Sequence, residues 1–96
     1  MKAIPIVLRR EFGLPVSNGK VFGLLPTLSY PEDPRLCVAF STTGERQGAD
    51  YTDAINCSAP VSKEDKDARE LVELVARALG TPLRVVLRKP RAYSSP

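Results

Sequence analysis

The chain has 96 residues, 43% hydrophobic and 26% charged, which fits one globular domain and argues against both a two-core architecture and wholesale disorder. Fourteen Lys and Arg against 11 Asp and Glu leave a formal charge of +3, a smaller excess than a nucleic-acid reader usually shows. The sequence has no histidine and only two, widely separated cysteines, which removes the commonest general base and any structural zinc site built on His and Cys.

In chain order, the first apolar run is too short for a signal peptide and leads straight into Arg9 and Arg10. No segment approaches membrane-spanning length, so the expectation is a cytoplasmic protein with reduced thiols at Cys37 and Cys57. Within the run, Ile4, Ile6 and Leu8 share one face of a strand, and Pro5, lacking a ladder donor, predicts an edge strand or a strand start. The Asn18-Gly19 pair then predicts a hairpin between residues 14–16 and 21–25, with Gly13 marking a bulge before it.

Two prolines make residues 30–34 a rigid surface connection. A strand follows, with Leu36, Val38 and Phe40 on one face and Cys37, Ala39 and Ser41 on the other. Residues 43–48 read as its turn, with Arg46 and Gln47 at an exposed tip. The alternation over 50–58 predicts the return strand, placing Phe40 opposite Tyr51 and Leu36 opposite Ile55, with Cys37 and Cys57 too far apart for a disulfide. That register points Asp53 into the core beside Val38, a costly position for a carboxylate, so Asp53 is either functional or a sign of a bulge or frayed strand start near residues 48–50.

The clearest element is an amphipathic helix between Ser62 and Pro82. A Ser62-x-x-Asp65 pattern predicts its N-terminal cap, Arg77 suits its negative pole, Gly80 its left-handed cap, and Pro82 ends it. Ala68, Leu71, Val72, Leu74, Val75 and Leu79 fall on an apolar arc of roughly 200° that also takes in Ala76 and Ala78. Lys66, Arg69, Glu70, Glu73 and Arg77 form a self-pairing i, i+4 lattice opposite. A final strand puts Leu83, Val85 and Leu87 inward and Arg84, Val86 and Arg88 outward.

These elements predict an α+β, two-layer domain over residues 1–89: a mainly antiparallel sheet of four to five strands, order β-β-β-β-α-β, with the helix (about 63–79) on one face and 90–96 as a tail. The other face, carrying Cys37, Ala39, Ser41, Thr52, Ala54, Asn56, Arg84 and Arg88, is expected to be open or covered by a partner.

Residues 44–48 lack the Gly-Lys-Ser/Thr ending of a phosphate loop, and no nucleophile has a histidine to activate it. The leading expectation is therefore a non-catalytic protein-interaction module without cofactor or metal. It would be an inhibitor or adaptor of the kind phages and mobile elements encode, similar to anti-CRISPR proteins in size and architecture only. It would bind a protein or nucleoprotein through Arg46, Gln47, Arg84, Arg88, Lys89 and Arg91, or associate with its own copy. One alternative is nucleic-acid binding by the basic C-terminal strand; another is a small metal-dependent enzyme using Asp50 or Asp53.

Overall fold

Alternating apolar residues draw Ile4–Glu11 (β1) into the strand around which the sheet is built. The structure, a computed structural model, describes residues 3–12 and 19–87. After β1 come Val21–Tyr30 (β2), Asp33–Ser41 (β3), Arg46–Ala49 (β4), Tyr51–Asn56 (α1), Ser58–Pro60 (β5), Lys66–Leu79 (α2) and Leu83–Val86 (β6). The sheet runs β4-β3-β2-β1, and the far edge of β1 is divided between two strands. Antiparallel β5 takes residues 9–11 of β1, and parallel β6 takes residues 4–7. The result is a mainly antiparallel, open six-stranded sheet with helices packed on it, an α+β fold.

Pro5 therefore lies at a strand start, as the second residue of β1, and that strand is an inner one and not an edge. The amide of Ile4 donates to Pro82 O at 3.0 Å, so the next nitrogen, that of Pro5, turns toward β2. Pairing with β2 begins only at Val7↔Leu24, and in that register Pro5 would meet Pro26. Neither proline has a proton to donate, and β2 shifts register against β3 between Leu25 and Ser29, so the missing donor interrupts no ladder.

The predicted Asn-Gly hairpin arm, residues 14–16, and Gly13 lie outside the described residues. What pairs with the start of β2 is β1 itself, and the amide of Glu11 donates to Lys20 O at 2.9 Å.

The face bearing α2 buries Ile6, Leu8, Val21, Leu25, Val38 and Phe40 against Ala68, Leu71 and Val75. Leu83 and Val85 join this core as expected, whereas Leu87, expected inward, follows the end of β6 and is 84% exposed. The buried stripe of α2 is narrower than its apolar arc: Val72, Leu74, Ala76 and Leu79 are half-buried and Ala78 is exposed. Its N-cap is Asp65, whose carboxylate accepts the amides of Asp67 and Ala68 at 2.9 and 3.2 Å. Ser62 Oγ instead accepts the amide of Glu64 in the preceding turn, so α2 starts at Lys66. Gly80 adopts φ 67° and closes the helix as the sequence predicts.

Gly23 sets how closely α2 approaches the sheet. A Cβ there would stand 2.7 Å from Ile6 Cδ1 and 3.3 Å from Leu71 Cδ2. Gly23→Ala is expected to destabilise the protein by about 1–3 kcal/mol through overpacking, read as a lower urea midpoint at unchanged m.

The opposite face corrects the expectation for residues 50–58. Strand β4 is already complete at Ala49 and pairs Phe40 with Arg46 and Cys37 with Ala49. The turn before it is short, with Ser41 N bonded to Glu45 O at 3.0 Å and Gly44 at φ 91°. The chain then enters α1, because Asp50 accepts the amide of Asp53 at 3.0 Å and nucleates a helical turn. This helix covers part of the face expected to be open. Val7, Leu24, Cys37 and Ala39 are buried there beneath Tyr51, Ala54 and Ile55. Cys37 and Cys57 form no disulfide, Cys57 being exposed at the C-cap of α1.

Candidate functional site

Cross-strand pairing decides where the basic residues point. Arg46 and Gln47 are both exposed, yet they sit on the edge strand β4 and not at a turn tip. Arg46 shares its face with Phe40 and hence with α2, while Gln47 shares its face with Ala39 and hence with α1. Arg84 is exposed on β6, four strand intervals away by the sheet order, or about 19 Å at the usual strand spacing. It pairs with Pro5 and lies on the face of Val7 and Val86, opposite to that of Arg46. Arg46 and Arg84 therefore do not form one surface. Arg88, Lys89 and Arg91 lie outside the described residues.

Arg9 and Arg10 are consumed internally. Arg9 points to the α1 side, where Nε donates to Ser58 Oγ at 2.9 Å and Nη2 to Ile55 O and Ser58 O at 2.9 and 2.7 Å. Arg10 points to the α2 side, donating to Gly19 O at 2.8 Å and pairing at 3.0 Å with Asp65, the cap of α2. Adjacent arginines thus pin one helix to each face of β1, and neither contributes to an exposed basic rail.

The two carboxylates considered for metal chemistry have different surroundings. Asp50 caps α1, and Asp53 is exposed in its first turn instead of pointing into the core. Among the described residues no three His, Cys, Asp or Glu side chains gather closely enough to hold a metal ion.

A concavity arises where β5 and β6 part along the edge of β1. β5 ends its pairing at Arg9 and β6 at Val7, which leaves Leu8 at the base of a crevice of about 350 Å³. Val61, Lys63, Val85 and Leu87 contribute to its walls. A second hollow of about 410 Å³ adjoins it through Lys63, Glu64 and Val85 and runs onto α2 at Val72, with Arg69 and Glu73 on its rim. Glu64 is held below the usual carboxylate range by the Ser62 hydroxyl and its own backbone amide, with Lys63 and Arg69 adding to the effect.

The backbone of β6 borders this groove. Because Ile4 donates to Pro82 O, the polar groups of Pro82, Arg84 and Val86 face β1, and those of Leu83 and Val85 face outward. Leu83 and Val85 therefore present sheet-edge donors and acceptors beside an apolar groove. The sequence carries only a faint sign of this place, the apolar Leu87 just after β6 and next to Arg88, because the division of β1's edge is a property of pairing between distant segments.

Comparison of the chain with known protein families, curated proteins and solved structures found no match. No helix among the described residues is long and apolar enough to cross a membrane.

Proposed function

We propose that the chain is a non-catalytic protein-interaction module, an inhibitor or adaptor, that captures an extended segment of a partner protein along the outer edge of β6. The observation that carries this is the set of outward backbone groups at Leu83 and Val85 beside the crevice at Leu8 and the exposed Leu87. A sheet edge of this kind gains affinity from main-chain hydrogen bonds and selectivity from pockets for alternate side chains. At the other edge, the hollow that reaches Gln47 is smaller, about 200 Å³. Nucleic-acid binding is less well supported, since Arg9 and Arg10 are bonded internally and Arg46 and Arg84 occupy opposite edges and faces.

The test is affinity capture from the native cell by four chains: unaltered, Val85→Pro, Leu87→Asp and Arg46→Glu. Val85→Pro removes an outward donor and spares the bonds of Arg84 and Val86 to β1, and Leu87→Asp alters a side chain that the core does not use. Both are expected to reduce recovery of the partner at least about tenfold with an unchanged circular-dichroism spectrum, and Arg46→Glu to retain it. Full recovery by both β6 variants would overturn the proposal.

A further inference from the structure

We infer that the segment captured at β6 places an acidic residue beside Arg84, between apolar residues that face the groove. This rests on the β6-edge proposal and goes beyond it by naming the chemistry of the occupant. A strand added beside β6 must send successive side chains to opposite faces of the sheet. On the α1 face its neighbours are Arg84 and Val86; on the α2 face they are Leu83 and Val85, next to the groove floored by Val72 and the crevice over Leu8.

The position beside Arg84 therefore favours a carboxylate, while the residues before and after it turn apolar side chains toward the groove. The groove's own rim is electrically balanced, Lys63 and Arg69 against Glu64 and Glu73, so it selects for apolarity and not for charge. Charge selectivity comes from the other face. Arg84, exposed on β6, is the one charged residue of that strand, so the field beside it on an arriving strand is positive. A second copy of this chain is disfavoured by the same charge, because pairing β6 with β6 would bring the Arg84 of one copy toward that of the other.

The full chain, isotopically labelled, is titrated by NMR with a six-residue peptide of alternating Glu and Val, with its Lys and Val counterpart, and with a single-stranded oligonucleotide of equal length. The acidic peptide is expected to shift the amides of Leu83, Val85, Lys63 and Glu64 and to bind about tenfold more tightly than the basic one, a preference that Arg84→Glu abolishes. Methylating one alternate set of peptide amides should prevent binding, and methylating the other should not.

Equal shifts from acidic and basic peptides at Leu83 and Val85 would leave the edge proposal standing and overturn the acidic chemistry. No shift at these residues from either peptide would overturn both. A response only to the oligonucleotide, or concentration-dependent dimerisation mapping to Leu83–Val86, would replace the inferred occupant.

Discussion

Arg9→Ala is expected to cost about 3 kcal/mol of unfolding free energy and to loosen residues 51–60 ahead of the rest of the sheet. Arg9 is only 9% exposed, and its guanidinium makes three hydrogen bonds, to Ser58 Oγ, Ser58 O and Ile55 O. Ser58 Oγ in turn donates to Ala54 O, so a single side chain joins β1 to the end of α1 and the start of β5. Hydrogen bonds to a charged group contribute about 1.5–3 kcal/mol each, and water entering the vacated space recovers part of what three would give. Removing the side chain also strands one carbonyl in the last turn of α1, Ile55 O, and one in β5, Ser58 O, and α1 buries no residue fully of its own.

Arg9→Lys separates charge from geometry. An ammonium keeps the charge but not the planar fork that reaches Ile55 and Ser58 together, so the loss should be intermediate, about 1–2 kcal/mol. Urea unfolding gives the total, and amide hydrogen exchange across residues 51–60 locates it. A change within about 0.5 kcal/mol for Arg9→Ala would show that α1 is held by its apolar contacts alone. Since β5 forms one side of the crevice over Leu8, loosening it should also weaken capture at β6, tying stability on one face to docking at the edge.

Much of this architecture is legible in the sequence where local chemistry decides it. Gly80 ends α2 through its backbone freedom, and the face parity of Ile6, Leu8, Val38 and Phe40 is correct because alternation is a property of each strand by itself. Residues 50–58 fail for a related reason. Tyr51, Thr52, Asp53, Ala54 and Ile55 fit a strand's alternation, yet a six-residue helix needs only one good cap, and Asp50 with Asp53 three positions on supplies it. That spacing was the available signal, outweighed by a pattern of small residues that either state accepts.

The surroundings of the basic residues are illegible for a different reason. Charge counts do not distinguish an arginine bonded inside, such as Arg9, from one in solvent, such as Arg84. Nor does periodicity say which strand lies at an edge: Pro5 marks an edge or a strand start by composition, and it starts an inner strand, ahead of the ladder to β2 that begins at Val7. The β6 edge emerges only when two segments some eighty residues apart pair in parallel, and such non-local pairings leave little trace in either segment.

Leu71→Ala is expected to be the most damaging truncation on the α2 face, at about 3–4 kcal/mol. Leu71 is 0% exposed and stands over Gly23 between the buried residues Ala68 and Val75, where backbone and helix are already close and the sheet has little freedom to collapse into a cavity. Leu74→Ala is the internal control. Leu74 is only half-buried and meets Gly44 at ordinary van der Waals range, 3.9 Å from a Cβ built there, so its truncation should cost about 1 kcal/mol. Combining Gly23→Ala with Leu71→Ala tests the contact itself. Removing Leu71 Cδ2 relieves one of the two neighbours that crowd a side chain at residue 23, while Ile6 Cδ1 at 2.7 Å remains. The double variant should therefore be less destabilised than the sum of the singles by about 0.5–1 kcal/mol, a partial recovery. Strict additivity in urea unfolding would mean that Gly23 is required by Ile6 alone and that α2 does not owe its seat on the sheet to this glycine.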